Sequence, residues 1–219
     1  MKKQHIRQQP IVIPEPYVEC PFTSNANDIK GHLSWTNAVN LSYSSDGASF
    51  NGSSSYLRCQ NQLKLEKIKT VSYLVKFNRI PTDGVSSTWM ALHYFMSYSY
   101  YNYASYYSIF QHYSNENVEL TNNVRTNSYS AADNTLTTPF GSTLTGMWYR
   151  ITFRRNSNNT TDLWIDELHK VVNYAIPDSY YSDIVFGKLY PNNIRYLDGN
   201  IKDLRIWDVE LTDEQIASL

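Results

Sequence analysis

LDGNIKDLRIW, residues 197–207, has the character of a strand, and LTDEQI, residues 211–216, begins a helix a few residues later. The isoleucine, leucine and tryptophan side chains of the first segment favour extended structure. In the second segment Thr212 occupies an N-cap position and Gln215 stands three residues later. This is a capping box, and two acidic residues lie at the positive end of the helix dipole. The sequence therefore predicts a strand that ends near Trp207, followed by a short helix.

Short strands separated by turn residues precede this segment. Alternation is clearest in VSYLVKF, residues 71–77, where every second side chain is apolar. Further strands are predicted at residues 89–93, 106–110, 147–153, 162–165, 184–186 and 201–207. The polar loop at residues 154–160 joins two of them in a hairpin. Regularly spaced short strands predict an all-β fold of antiparallel sheets packed as a sandwich, and argue against a parallel α/β sheet.

The composition narrows the classes of function. Charged residues make up 18%, the formal net charge is −1, and 19 tyrosines stand against 8 phenylalanines. A charge near zero gives no global field that would attract nucleic acid or an anionic membrane. The uncharged stretches are rich in tyrosine and serine, so no transmembrane helix is predicted. The first ten residues, MKKQHIRQQP, are basic but lead into no apolar segment, so no secretory signal is predicted.

The two cysteines, Cys20 and Cys59, are too few for a disulfide framework or a zinc site. One bridge between nearby strands is conceivable in a sandwich. Without a secretory signal, free thiols are the favoured prediction.

Residues 1–16 differ from the rest of the chain. They begin with basic residues and continue through three prolines, which impose an extended backbone and exclude helix. One interpretation is a loose tail. The other, which we favour, is an extended N-terminal arm whose Ile11, Val12 and Ile13 anchor the chain on a partner. The predicted division is an arm at residues 1–16 and one domain at residues 17–219.

Four segments carry a resemblance to a known family. They are YVECPFTSNANDIKG at residues 17–31, ASFNGSSSYL at 48–57, WY at 148–149 with LWID at 163–166, and the C-terminal stretch at 197–216. In this order they resemble the laminin G-like domains of the concanavalin A-like lectin and glucanase superfamily. The resemblance implies a two-sheet antiparallel jelly-roll sandwich with a short C-terminal helix. Residues 78–145 match no family motif.

The resemblance also has local consequences. It implies that Ile201 and Leu204 are both buried, although side chains alternate along a regular strand, so a β-bulge is predicted between them. Glycines at turns are expected to adopt positive φ; they are Gly31, Gly52 and Gly199. Core positions are expected at Phe50, Tyr56, Ile201 and Ile206, and Trp148 and Trp164 are also expected to be largely buried. The family's Ile-Asp-Asp is Ile201-Lys202-Asp203 here, and this loss of an acid weakens an inherited calcium site.

No catalytic pair is predicted. Glucanases of this fold align carboxylates on one strand face. Here Asp162 and Asp166 share a face by alternation, but Trp164 lies between them and both acids stand at strand ends, where turn residues are common. For metals, Asp28 is the candidate calcium ligand, and a tight Asx-turn is the alternative role for this residue.

The segment YFMSYSYYNYASYY, residues 94–107, is the most individual feature of the sequence. Tyrosine rings stack on sugars and make large contacts at low entropic cost. The predicted ligand-binding residues are the tyrosines of the central loop: Tyr98, Tyr100, Tyr101 and Tyr103.

These features predict a non-catalytic adhesion or assembly module. The favoured setting is a virion surface, as a phage capsid decoration or fibre component, with the arm bound to other structural proteins and the jelly roll facing glycans or other partners. The alternative is a free soluble carbohydrate-binding lectin-like module. A glycoside hydrolase is the third reading, which the missing carboxylate pair argues against.

Overall fold

The computed structural model describes residues 10–79, 87–97, 104–113, 118–125, 139–140, 145–158, 160–172, 181–188 and 196–219. The strands are β1 Val18–Cys20, β2 Asn37–Val39, β3 Ser42–Ser44, β4 Gly47–Asn51, β5 Tyr56–Lys64, β6 Thr70–Phe77, β7 Ser87–Ser97, β8 Ala104–Tyr113, β9 Val118–Arg125, β10 Pro139–Phe140, β11 Trp148–Arg155, β12 Thr161–Ile165, β13 Leu168–Val172, β14 Tyr181–Phe186 and β15 Asp198–Trp207. A 3-10 turn at Leu65–Lys67 and the helix α1 at Asp213–Ala217 complete the elements of the described residues.

The strands form two sheets. Sheet 1 has the order β13-β12-β11-β6-β15-β4-β3, with β1 also paired to β15. Sheet 2 has the order β10-β9-β8-β7-β14-β5-β2. Neighbouring strands in both sheets are antiparallel, and an isolated parallel bridge joins Phe77 to Thr145. The first and last strands are neighbours, as a jelly roll requires, and the predicted fold class is confirmed.

The core lies between the two sheets, and strand alternation selects its members. On β6 the four apolar residues of the predicted face are almost completely buried: Val71, Tyr73, Val75 and Phe77. The Tyr73 ring meets the Phe186 ring of β14 edge to face, with centroids 5.3 Å apart, and so joins sheet 1 to sheet 2. Each such buried side chain contributes roughly 1.5–3 kcal/mol of transfer free energy, which makes this inner face the main source of stability.

The predicted bulge is confirmed. Ile201 and Leu204 are both fully buried, and the pairing of β15 with β6 shifts register between Lys202 and Arg205. The extra residue, Asp203, has φ of 55°, and this turn of the backbone returns Leu204 to the core face.

The glycine predictions are confirmed at two positions and wrong at one. Gly31 and Gly52 have positive φ, of 78° and 73°. Gly199 lies within β15, and its φ is not positive. A Cβ at Gly199 would collide with the carbonyl oxygen of Lys76 on β6. Glycine is therefore required at position 199 because β15 and β6 approach closely there, and not because the backbone turns.

A second, smaller apolar cluster lies on the outer face of sheet 1, beneath α1. Its buried members are Trp164, Trp207, Leu211 and Ile216, and Ile13 and Leu219 pack against it. The predicted capping box is present: the Gln215 N–H donates to Thr212 Oγ1 at 3.2 Å, and the Thr212 N–H donates to Gln215 Oε1 at 2.8 Å. The cap fixes the direction in which α1 leaves β15, so Ile216 faces the sheet.

The described part of the arm, from residue 10, packs against its own domain. The Trp207 indole N–H donates to the Pro14 carbonyl at 2.8 Å, and the Gln215 side-chain amide donates to the Val12 carbonyl at 2.7 Å. Ile13 packs on the cluster beneath α1, whereas Ile11 and Val12 are 53% and 74% exposed. Of the three predicted anchors, Ile13 is therefore engaged within the chain, and for Ile11 and Val12 anchoring stays a prediction.

Two further expectations were only half right. Trp164 and Ile206 are buried, but Trp148, which the sequence places in the core, is half-buried on the outer face of sheet 1. The ammonium groups of Lys76 and Lys202 lie 5.0 and 4.1 Å from the centroid of its ring. Cation–π contact and the lysine stems cover this tryptophan in place of a core.

Tyr56 is likewise half-buried and not a core residue, and the ammonium of Lys188 lies 3.5 Å from its ring centroid. The favoured prediction for the cysteines is confirmed, since Cys20 and Cys59 are buried free thiols.

Candidate functional site

A groove of about 480 Å³ opens to solvent between the β11–β12 hairpin and the segment that leads into α1. We call it the hairpin groove. One wall carries Arg154, Asn156, Asn158, Thr160, Asp162 and His169, and the other is formed by residues 210–213. Its volume falls within the range of small-molecule sites, which is about 300–1,000 Å³.

Strand alternation explains why polar groups meet here. The core takes Phe153 and Leu163, so their neighbours Arg154 and Asp162 point to the outer face of sheet 1. Arg154 and Asp162 are direct partners across the hairpin, and Trp164 of β12 is the direct partner of His169 of β13. The edge of sheet 1 thus presents a basic, an acidic and two aromatic side chains on three neighbouring strands.

Asp162 lies at the floor of the groove and is only 2% exposed. Its Oδ2 accepts hydrogen bonds from Arg154 Nε at 2.9 Å, from Arg154 Nη2, and from Asn156 Nδ2 at 2.9 Å. Its Oδ1 has no hydrogen-bond partner among the described residues. The Nε2 atom of His169 is 3.8 Å away from Oδ1. A buried carboxylate oxygen without a donor is energetically costly, so a donor that reached Oδ1 would stabilise it.

Flat groups flank this acceptor. The His169 ring stacks on the Trp164 ring with centroids 4.3 Å apart and planes within 1°, and the Arg154 guanidinium carbon lies 4.9 Å from the Trp164 centroid. About a third of the His169 side chain remains exposed. One face of that ring is covered by Trp164, so the exposed part belongs to the opposite face and the edge. This leaves a flat aromatic surface beside Oδ1.

Residues 156–158 and 160 form the rim of the groove, and hydrogen bonds among them hold it. The Asn156 N–H donates to the Thr160 carbonyl at 2.9 Å, and the Asn156 side chain donates to Thr160 Oγ1 at 2.7 Å. Asn158 Oδ1 accepts from the Thr160 N–H at 3.1 Å. The polar rim is thus set before a ligand arrives, which lowers the ordering entropy of binding.

The predicted site residues lie elsewhere. Tyr98, Tyr100, Tyr101 and Tyr103 fall outside the described residues, so their role in ligand binding stays a prediction. Ile11, Val12 and Ile13 lie in the arm, as described above. Asp166, paired with Asp162 by alternation in the sequence analysis, instead turns away after β12 with φ of 51°, and its Oδ1 accepts the Arg150 N–H at 2.8 Å.

Asp28, the candidate calcium ligand, organises the first loop. Its Oδ1 accepts the backbone N–H groups of Glu19 and Lys30 at 2.8 and 3.0 Å. Its Oδ2 accepts those of His32 and Leu33 at 2.7 and 3.0 Å. Within the described ranges, no group of three or more histidine, cysteine, aspartate or glutamate side chains is arranged to hold a metal ion. Calcium at Asp28 stays a prediction, and the ion would have to compete with four amide donors.

Sequence reasoning missed the hairpin groove. Asp162 was interpreted as a turn residue, and neither His169 nor strand β13 was singled out. The available signal was the pair Arg154 and Asp162 on opposite arms of a predicted hairpin, next to Trp164, because cross-strand partners of opposite charge on an outer face form ion pairs.

Comparison with known proteins identifies the class. The sequence profile of a family described as the concanavalin A-like lectin/glucanases superfamily matches residues 51–217. The chain therefore belongs to this family, as the resemblance of its motifs implied. A search of curated proteins finds no match.

Solved structures of the same fold include binding domains and enzymes. The chain is similar to the binding domain of botulinum neurotoxin serotype D, with a TM-score of 0.62 and 16% identity over 93% of this chain and 50% of that one. It thus spans about half of that neurotoxin domain. It is also similar to an alginate lyase from Pseudomonas aeruginosa (TM-score 0.52, 12% identity, 80% of this chain and 88% of that one). The chain is similar to a β-glucanase from Bacillus licheniformis as well, with a TM-score of 0.50 and 12% identity over 85% of this chain and 96% of that one. At these identities the likeness establishes the jelly-roll fold.

In the part of the chain that the structure describes, no helix has the length and apolar character needed to cross a membrane.

Proposed function

We propose that this domain is a non-catalytic carbohydrate-binding module that holds a sugar in the hairpin groove. The observation that carries the proposal is Asp162, a residue of the groove lining whose buried Oδ1 has no donor among the described residues. A sugar hydroxyl is a donor of the right size and geometry, and a hydrogen bond to a charged acceptor is stronger than one between neutral groups.

The surroundings of Asp162 support a sugar over other donors. The exposed face of His169, stacked on Trp164, offers an aromatic surface of the kind on which sugar C–H groups pack. The amides of Asn156 and Asn158 and the hydroxyl of Thr160 add donors and acceptors around the rim. Membership of a lectin and glucanase superfamily is consistent with this reading.

The charges of the groove support binding over hydrolysis. Glycosidases need one protonated carboxyl group and one free carboxylate on opposite sides of the scissile bond. Here Asp162 and Asp213 both bind the same guanidinium: Asp162 through Oδ2, and Asp213 through an Oδ1 that is 2.8 Å from Arg154 Nη1. Both acids are thus engaged in ion pairs with one arginine, and they do not form the free pair of carboxyl groups that a glycosidase needs.

Glycan-array binding tests this proposal. The native protein should bind a set of glycans, and Asp162→Asn, which keeps the shape but removes the charge, should bind them at least about tenfold more weakly. His169→Ala, at a partly exposed position, should also weaken binding without affecting folding. His32→Ala is the matched control, because His32 stacks on Tyr17 (centroids 4.1 Å, 12°) away from the groove. Unchanged binding in both groove variants would contradict the proposal.

The second candidate function is assembly into a larger protein particle. The exposed apolar side chains of Ile11 and Val12 favour it. In this reading the domain belongs to a virion surface, as a capsid decoration or fibre component, and the two side chains contact another structural protein. The packing of Ile13 and Pro14 on the domain itself favours the free carbohydrate-binding module over this candidate. An Ile11→Ser, Val12→Ser variant should stay folded, and assembly predicts that it no longer co-sediments with the particle.

The tyrosines at positions 98, 100, 101 and 103 are proposed as a second contact region for glycan or protein. Their support is the composition of the segment and the stacking chemistry of tyrosine. Alanine substitution of Tyr100 and Tyr101 together, measured on the same array, tests this region separately from the groove.

A further inference from the structure

The charges that line the hairpin groove restrict the class of sugar that fits it. This inference rests on the proposed function and adds the chemistry of the ligand. We infer that the groove binds neutral sugars and, more tightly, amino sugars, and that it rejects acidic sugars such as uronic acids.

The first step is that each of the three nitrogens of the groove's cation, Arg154, already has an acceptor. Arg154 is the one lysine or arginine among the described residues lining the groove. Its Nε and Nη2 donate to Asp162. Its Nη1 donates to the Leu211 carbonyl at 2.6 Å and lies 2.8 Å from Asp213 Oδ1. An acidic ligand would therefore find a guanidinium whose bidentate face is already occupied.

The second step is that acidic groups outnumber this cation. Among the described residues, three carboxylates line the groove, those of Asp162, Glu210 and Asp213, against one guanidinium, that of Arg154. Glu210 and Asp213 are exposed at the rim, while Asp162 is buried at the floor. The carboxylates therefore outnumber the guanidinium in the described lining of the groove, which favours ligands that carry donors or cations.

The third step concerns the contact with Oδ1 itself. A ligand carboxylate at hydrogen-bond distance from Oδ1 would bring two like charges together in a partly desolvated site, which is strongly unfavourable. A hydroxyl satisfies Oδ1 with one hydrogen bond. An ammonium group does the same and adds a charge interaction with Asp162 and with Glu210. The order of affinity is therefore amine, then hydroxyl, then carboxylate.

Titration calorimetry with matched oligosaccharides tests this order. The probes are β-1,4-linked tetrasaccharides of glucose, glucosamine and glucuronic acid, and the corresponding mannose, mannosamine and mannuronic acid tetramers. Measurements at about pH 6, below the usual titration range of an amine and above that of a carboxyl group, keep the amino sugars as ammonium ions and the acidic sugars as carboxylates. The amino sugar should bind about 3- to 10-fold more tightly than the neutral sugar, and the acidic sugar at least about tenfold more weakly.

Two variants make the test specific. Glu210→Gln should reduce the ratio of amino-sugar affinity to neutral-sugar affinity about threefold. Glu66→Gln, a carboxylate in the Leu65–Lys67 turn outside the groove lining, is the matched control and should change neither value.

The outcomes separate the inferred preference for amino sugars from the proposed carbohydrate-binding function. An acidic tetramer that binds as tightly as the neutral one, and loses affinity in Asp162→Asn, overturns the inference and leaves the carbohydrate-binding function standing. Absence of binding by all six tetramers contradicts the function itself.

Discussion

Asp162 and His169 lie on neighbouring strands with Oδ1 of the aspartate 3.8 Å from Nε2 of the histidine, a separation beyond hydrogen-bond range. A single hydroxyl can lie within hydrogen-bond distance of both atoms at once. The pair is fixed from behind, Asp162 by Arg154 and Asn156, and His169 by its stack on Trp164. The groove therefore holds two polar atoms apart at a spacing that one ligand group can bridge.

The first prediction concerns the stability of this arrangement. Asp162→Ala removes a 2%-exposed carboxylate from Arg154 and leaves the guanidinium without its main partner. Loss of one member of a buried ion pair typically costs about 3–5 kcal/mol. The free energy of unfolding, measured by urea denaturation, should fall by that amount. Asp46→Ala removes an exposed ion pair with Lys76 and should leave the urea midpoint nearly unchanged. Equal effects of the two variants would contradict the buried pairing.

The second prediction separates the two halves of the arm. Ile13 packs on the cluster beneath α1, whereas its neighbour Val12 is 74% exposed. Ile13→Ala should lower the free energy of unfolding by about 1–2 kcal/mol, at the low end for apolar truncation because the side chain is half-buried. Val12→Ala keeps the backbone carbonyl that accepts from Gln215 and should have no measurable effect. If Ile13→Ala is also neutral, the arm does not pack on α1.

The third prediction concerns Asp28. Asp28→Ala leaves four backbone N–H groups without their acceptor, and the cost should be about 3 kcal/mol or more, since each stranded amide costs about 1–3 kcal/mol. The thermal midpoint of this variant reports the loss. Calcium binding at Asp28 makes a different prediction for the native protein, namely a rise in the midpoint with calcium and a fall with chelator. A midpoint that is the same in calcium and in chelator would leave Asp28 with its loop-organising role alone.

The fourth prediction follows from the two buried thiols. Burial, the largest cause, raises the pKa of Cys20 well above its ordinary value, and the nearby Asp28 carboxylate adds to this. Burial, with a contribution from Asp183, raises the pKa of Cys59 to about 12. Both thiols should react slowly with a thiol reagent at pH 8 in the folded protein and quickly in urea, because the thiolate is the reactive form.

The same shifts predict a pH dependence of stability. A folded-state pKa above the unfolded value means that the unfolded chain loses its thiol protons at a lower pH than the folded chain. The contribution of the thiol to the free energy of unfolding is therefore present below about pH 9 and is lost as the pH rises towards 12. Each thiol should lower the free energy of unfolding by about 1.4 kcal/mol per pH unit in that window. A Cys20→Ala, Cys59→Ala variant should show a shallower slope over the same range, whereas an identical slope would argue that other groups cause it.

Local patterns predicted the architecture well, and particular residues show why. Alternation in β6 identified the core face. Ile201 and Leu204 cannot share one face of a strand whose side chains alternate, so a bulge was predicted between them, and it lies at Asp203. The capping box of Thr212 and Gln215 located α1. Each of these depends on residues close together in sequence, where backbone geometry alone decides the outcome.

The groove could not be predicted in the same way. Asp162 resembles a turn residue in the sequence because it adjoins a polar loop. Its burial depends on β13 at the sheet edge and on the segment leading into α1, about 50 residues further along the chain. The same long-range packing brought Ile13 onto α1, which the sequence of the arm did not indicate.

The central claim is that a sugar donor occupies the unpaired Oδ1 of Asp162, and a crystal structure with a bound tetrasaccharide tests it most directly. Crystals of the native protein soaked with the glucosamine tetramer should show the sugar in the hairpin groove, with a hydroxyl or amine about 2.7–3.0 Å from Oδ1 and a sugar face against His169. A sugar bound with the same occupancy at another surface, while the groove remains filled by solvent, would contradict the account.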